Sequence, residues 1–127
     1  MNAVVPLRVL AVEDDAETAE TFRAVLADQG YDIRVARDGR KALAELAGWR
    51  PDVMILDLLL PSLSGHALLR YLRGLPEYRR MPILIVSGAL PTLLDLDGAS
   101  VALPKPFELG QLVAILDQLR ASLLTRN

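Results

Sequence analysis

Cysteine is absent from this chain, which excludes disulfide staples, thiolate metal sites and thiol catalysis. Histidine is nearly absent, with His66 the single example. No apolar run of signal-peptide length opens the chain at MNAVVPLR, and no later segment reaches the length of a membrane span. A cytoplasmic location with no membrane contact is therefore expected. Strong charge of either sign is also missing. The formal net charge is −2 and the basic residues are scattered, so the electrostatic footprint of a nucleic-acid binder is not there. Lysine is scarce in its own way: twelve arginines stand against Lys41 and Lys105. A lysine kept where arginine is preferred points to a site that needs a compact point charge.

What is present is a chain of 127 residues, 52% apolar, long enough to bury the core of one globular domain. No repeats, linkers or low-complexity segments interrupt it. Its organising stretch is Pro51–Gly65. Val53-Met54-Ile55-Leu56 is a short uninterrupted apolar run, suited to a strand buried on both faces, and it stops abruptly at Asp57. Leu7–Val12 reads as a first strand ending on Glu13-Asp14-Asp15. An amphipathic helix follows over Ala16–Gln29, with Ala19, Phe22, Val25 and Leu26 inward, Asp15 as N-cap and Gly30 at its close. A second strand at Ile33–Ala36 leads through Asp38-Gly39 into a short helix at Arg40–Ala47, with Ala42, Leu43 and Leu46 inward. Gly65–Arg73 reads as a helix burying Leu68, Leu69 and Leu72. The polar stretch Gly74–Met81 connects it to a strand at Pro82–Ser87. Leu90–Gly98 is a poor helix, broken by Pro91 and ended by two aspartates and a glycine. A fifth strand at Ser100–Leu103 runs into Pro104-Lys105-Pro106. A last helix at Phe107–Leu124 carries Leu109, Leu112, Val113, Leu116, Leu119 and Leu123.

Alternating strands and helices imply an α/β fold, with a parallel sheet, helices on both faces and right-handed crossovers. In such a sheet the carboxyl ends of the strands share one edge, where ligands bind. That edge gathers Glu13, Asp14, Asp57, Ser87 and Lys105. Three clustered carboxylates repel one another, so either some hold protons or a cation sits among them. Oxygen ligands without cysteine or histidine favour a hard cation such as Mg2+. A carboxylate can itself accept a phosphoryl group, with metal, ammonium and hydroxyl neutralising the transferred oxygens. Each residue taken singly also has a structural reading: Asp14 and Asp15 as helix caps, Ser87 as a turn residue, Lys105 as a solvated charge.

Together, Glu13-Asp14, Asp57-Leu58-Leu59-Leu60-Pro61 with Ser64-Gly65, Ser87 and Lys105-Pro106-Phe107 resemble the receiver domain of bacterial two-component response regulators. The resemblance runs from about Leu7 to Leu124. It implies a flavodoxin-like doubly wound (βα)5 three-layer sandwich with a five-stranded parallel sheet in the order 2-1-3-4-5. It implies that Asp57 is the phosphoacceptor. Asp14, Asp57 and the backbone carbonyl of Leu59 would hold Mg2+, with Glu13 contributing through water. Ser87 would follow the phosphoryl group by hydrogen bonding, and Lys105 would pair with it, ahead of a cis peptide to Pro106. The implied donor is a phosphohistidine of a sensor histidine kinase or histidine phosphotransfer protein. The receiver catalyses transfer to itself and is not a turnover enzyme. His66, at the start of the third helix, is expected to have a solvent-exposed structural role.

The sequence departs from that pattern in places. The family's switch aromatic lies three residues before the lysine, and here the position is Ala102. The stretch from Ser87 to Lys105 is shorter than the pattern, so a shortened or irregular fourth helix is expected. The phosphorylation chemistry is expected to remain; the aromatic switch and the usual output surface are not. Leu59 and Ala89, two residues past Asp57 and Ser87, cannot hydrogen-bond an attacking water, so slow loss of the phosphoryl group is expected. Residues 1–127 are expected to form a single receiver domain with no effector, acting by relay or by binding a partner and not by contacting DNA. The apolar face of the last helix, with Ile115, is a candidate homodimer contact or ordinary core. Two rival readings stand beside this one. The first is a phosphorylation-independent, receiver-like adaptor, suggested by Ala102. The second is an aspartyl-phosphate phosphatase, which needs a D-x-D-x-T pattern that neither Asp14 nor Asp57 begins.

Overall fold

Burial grades across the sheet as the apolar runs dictate. In the computed structural model, which describes residues 6–61, 63–88 and 101–124, three strands are almost wholly buried. These are β1 (Arg8–Val12), β3 (Val53–Asp57) and β4 (Ile83–Ser87). The flanking strands β2 (Asp32–Ala36) and β5 (Val101–Pro104) alternate between exposed and buried residues. All pairings are parallel and the order is β2-β1-β3-β4-β5, the doubly wound arrangement expected from the sequence.

The helices cover both faces. Successive strand residues point to opposite sides, so Leu10, Val12, Met54, Leu56, Ile83 and Ile85 pack with α2 (Gly39–Leu46) and α3 (Gly65–Arg73). Val9, Ala11, Val53, Ile55, Leu84 and Val86 pack on the other side, against α1 (Ala16–Asp28) and α4 (Leu109–Leu124). Each fully buried Leu or Ile contributes about 1.5–3 kcal/mol of transfer free energy. These two clusters hold the three layers together.

Local chemistry sets the helix ends. Asp15 caps α1 by accepting from Thr18 N and Thr18 Oγ1, and Asp38 and Ser64 cap α2 and α3 by accepting from Lys41 N and Ala67 N. Gly30 ends the first helical segment at φ +89°, a backbone region that suits glycine.

Several expectations need adjustment. The last helix begins at Leu109, not Phe107; the side chain of Phe107 instead stacks on Phe22, ring centroids 6.3 Å apart. The fifth strand extends through Pro104, whose missing N–H is tolerated at a sheet edge. The connection 74–81 is not simply polar. It forms a single 3-10 turn at Pro76–Tyr78, and Tyr78 and Met81 are buried against the α2/α3 side. Val25 is half-buried and not core, and His66 is half-buried and not fully exposed. The expected irregular fourth helix and Ala89 fall on 89–100, outside the described residues.

Candidate functional site

The carboxyl edge of the sheet brings the sequence-selected residues together. Glu13 and Asp14 follow β1, Asp57 ends β3, Ser87 ends β4 and Lys105 follows β5. Carboxylate oxygens of Glu13, Asp14 and Asp57 lie within 4.8 Å of one another. Lys105 Nζ donates to Glu13 Oε1 at 2.8 Å and to Asp57 Oδ2 at 3.0 Å. One ammonium thus compensates two buried carboxylates drawn from different strands. Lys105 is itself held in place by its backbone N–H, which donates to the Ser87 carbonyl at 2.8 Å. Its peptide bond to Pro106 is cis, as the resemblance implies.

The acids differ in restraint. Both oxygens of Asp57 are engaged, Oδ2 by Lys105 and Oδ1 by the Leu59 N–H at 3.0 Å. Both oxygens of Glu13 are engaged too, the second accepting from the Asp15 N–H at 3.2 Å. Asp14 is exposed, and among the described residues no hydrogen bond fixes its carboxylate. Burial pushes the Glu13 carboxyl above its usual range, and the neighbouring charge of Asp57 adds to this, while the Lys105 hydrogen bond opposes it. Burial would lower Lys105, but its hydrogen bonds to Glu13 and Asp57 outweigh that and raise it. The hydroxyl of Thr18, and then its backbone N–H, hold Asp15 below the usual carboxylate range.

The donor set fits a hard cation. Three carboxylates converge, no histidine or cysteine joins them among the described residues, and Asp14 is free to turn toward an ion. An open cleft of about 590 Å³ borders the site between α1 and the start of α4, lined by Thr18, Thr21, Phe22, Lys105, Pro106 and Phe107. The other selected residues occupy varied positions. Ser87 is buried, Ala102 of β5 is exposed and paired with Ile85 of β4, and Leu59 is 62% exposed. Lys41 is exposed on α2 and makes no ion pair with the cluster. Sequence reasoning missed Arg37, whose Nη2 donates to the Asp14 carbonyl at 2.5 Å. The signal was available, because Arg37 directly follows β2, the strand beside β1.

A family model described as the response regulator receiver domain matches residues 9–117. The chain belongs to this receiver domain family. The receiver domain is 39% identical over 113 residues to the response regulator MprA of Mycolicibacterium vanbaalenii, covering 86% of this chain and 48% of that protein. It therefore spans about half the length of the curated relatives it matches. Among solved structures it is similar to the chemotaxis response regulator CheY4 of Vibrio cholerae, with TM-score 0.84 and 30% identity, covering 91% of this chain and 99% of that one. It is also similar to the receiver domain of the sensor histidine kinase PA1611 of Pseudomonas aeruginosa, whose structure has a magnesium ion coordinated in the active-site cleft. There the TM-score is 0.81 and the identity 28%, covering 91% of this chain and 98% of that one. The receiver domain is thus a two-component signalling module of flavodoxin-like fold. No helix among its described residues is long and apolar enough to cross a membrane.

Proposed function

We propose that this receiver domain accepts a phosphoryl group on Asp57 from a phosphohistidine of a sensor histidine kinase or histidine phosphotransfer protein. The observation that carries this reading is the double contact of Lys105 with Asp57 and Glu13, beside Asp14, at the end of a central buried strand. Glu13, Asp14, Asp57 and the Leu59 carbonyl are the groups that would hold Mg2+, directly or through water. When bound, the ion neutralises charge on the phosphoryl oxygens and orients the group for in-line transfer.

The chain's own residues perform the rest. An Asp57 carboxylate oxygen forms the new bond to phosphorus as the phosphorus–nitrogen bond to the donor imidazole breaks. The electron pair leaves with the ring nitrogen, which takes a proton from solvent. The Lys105 ammonium, released from one carboxylate contact, pairs with a phosphoryl oxygen, and the Ser87 hydroxyl supplies a hydrogen bond to another. The domain supports its own modification and turns over no separate substrate. The cleft beside Lys105, with Phe22, Phe107, Thr18 and Thr21, offers a surface to the phosphodonor protein. We further read residues 1–127 as one receiver domain, acting in the cytoplasm through a partner or a relay, with no nucleic-acid contact. The apolar face of α4, Ile115 included, packs in the domain's own core, which favours that role over a homodimer contact.

A second reading is favoured by Ala102. A methyl group on an exposed β5 position provides no ring to follow Ser87, which supports an adaptor that binds partners without regard to phosphorylation. Beryllofluoride with Mg2+, a mimic of aspartyl-phosphate, separates the two when amide NMR shifts are followed in the wild type and in Asp57→Asn. Shifts at Asp57 that reach α4 in the wild type alone are expected of a phosphorylation-driven regulator. Shifts confined to the site mark a relay, and silence in both proteins hands the case to the adaptor.

A further inference from the structure

Arg37 lies outside the residues on which the resemblance was drawn, yet it touches the acidic loop. The parallel register pairs Val12 with Ala36, and the Glu13 N–H donates to the Ala36 carbonyl at 2.9 Å. Residues 13–15 and residue 37 therefore leave the sheet side by side. The exposed guanidinium of Arg37 crosses that gap and donates from Nη2 to the Asp14 carbonyl oxygen at 2.5 Å. Asp14 is the acid whose carboxylate has no hydrogen-bond partner among the described residues, so the restraints on it are those of the backbone that carries it. The backbone is pinned on one side by Glu13 and on the other by the Asp15 cap. Arg37 supplies the third restraint, at Asp14 itself.

We infer that Arg37 is a positioning residue for the cation site, tethering the Asp14 carbonyl so that its carboxylate is presented to Mg2+. This rests on the Mg2+ reading given above. Two effects of Arg37 act on the ion with opposite signs. Its positive charge repels a divalent cation, but a solvated guanidinium changes affinity only a few-fold through water. Its tether preorganises a ligand, and loss of such outer-shell support weakens metal binding roughly tenfold or more. The tether outweighs the charge.

The test measures Mg2+ affinity of the full chain by calorimetry and amide NMR titration, for wild type, Arg37→Ala, Arg37→Lys and Asp14→Asn. Arg37→Ala is expected to weaken Mg2+ binding roughly tenfold. The loss should persist at 0.5 M KCl, where a bare charge effect is screened over roughly 4 Å. Before any metal is added, the same variant should shift the amides of Asp14 and Asp15 while β3 and β4 amides stay in place. Arg37→Lys, which keeps a charge and a donor, should recover most of the affinity. Unchanged or tighter Mg2+ binding in Arg37→Ala, with Asp14→Asn impaired, overturns the positioning role and leaves the cation site standing. Shifts spread across the sheet amides overturn it in favour of a fold defect. A wild type that binds no Mg2+ overturns the cation site and this role together.

Discussion

Lys105 Nζ stands 3.0 Å from Asp57 Oδ2, joining the end of β5 to the end of β3 across 48 residues of sequence. The same ammonium is 2.8 Å from Glu13, so its removal strands two adjacent buried carboxylates. Lys105→Met is expected to destabilise the metal-free domain by about 2–3 kcal/mol, below the range for fully buried pairs because the lysine is partly exposed. Mg2+ should restore much of that stability by replacing the missing charge. Phosphoryl uptake from a small-molecule donor such as phosphoramidate should fall by about a hundredfold, the loss typical of one transition-state donor. Denaturation curves with and without Mg2+, and phosphorylation rates, check both halves. Equal stability of variant and wild type without metal counts against the pairing.

The loop after Asp57 is gripped by two glycines. A Cβ at Gly65 would overlap the Asp57 carbonyl oxygen and sit 2.6 Å from Leu58 Cα, and neither backbone atom can swing aside. A Cβ at Gly39 would sit 2.7 Å from Leu63 Cβ and 2.8 Å from the Leu63 carbonyl oxygen. Overpacking of this kind costs about 1–3 kcal/mol. Gly65→Ala is expected to lose stability in that range and to weaken Mg2+ binding as well, because the clash shifts the segment that carries Asp57 and Leu59. Gly39→Ala, farther along the loop, should lose stability with a smaller effect on the ion. Thermal melts and Mg2+ titrations of the two variants check the order.

The centre of the fold was legible because β3 and β4 are apolar runs that end on Asp57 and Ser87, and the apolar part of β1 runs directly into Glu13. Asp15 could be read as a cap from its place before a periodic segment, and the accepted bond from Thr18 N agrees. The edges were less legible. Trp49 has no periodic partner in the sequence, yet it is buried with the guanidinium groups of Arg8 and Arg34 at 5.6 and 4.6 Å from its ring. Arg37 was legible only through the sheet order, because its partner is a backbone carbonyl in the loop after β1, which no side-chain motif reveals. Tyr78 and Met81 were hidden among charged neighbours in a stretch that looked like solvent-facing connection.

Tyr31 gives the domain a defined alkaline response. Its hydroxyl donates to Asp117 Oδ1 at 2.6 Å, tying the turn before β2 to α4, and Arg120 lies 4.7 Å from the ring. Burial, and then the bond to Asp117, raise the phenol well above its ordinary value of 10.0. The unfolded chain releases this proton near pH 10 while the folded one keeps it, so the folded state binds more protons there. Stability from this group is fully present below pH 10 and falls as the pH rises beyond it. Tyr31→Phe should cost about 1 kcal/mol at neutral pH through the lost hydrogen bond and should flatten the alkaline decline. Denaturant midpoints from pH 8 to 11.5 test this. An equally steep decline in the variant assigns the effect elsewhere.

Leu59 is expected to set the lifetime of the phosphorylated state. Its N–H holds Asp57 Oδ1, and the residue, 62% exposed, lies two positions past Asp57. An isobutyl group neither donates nor accepts, so a water approaching the phosphorus finds no orienting partner there. Without such positioning the attack loses the proximity advantage that lowers its barrier. The phosphorylated wild type is expected to persist for minutes or longer in Mg2+ buffer without a phosphatase. Leu59→Asn provides both a donor and an acceptor at that position and should shorten the lifetime roughly tenfold. Uptake should be nearly unchanged, since the backbone bond to Asp57 remains. Phosphate release after removal of the donor measures both proteins. A wild type that loses its phosphoryl group within seconds, or a variant no faster than wild type, means that water is oriented by another group.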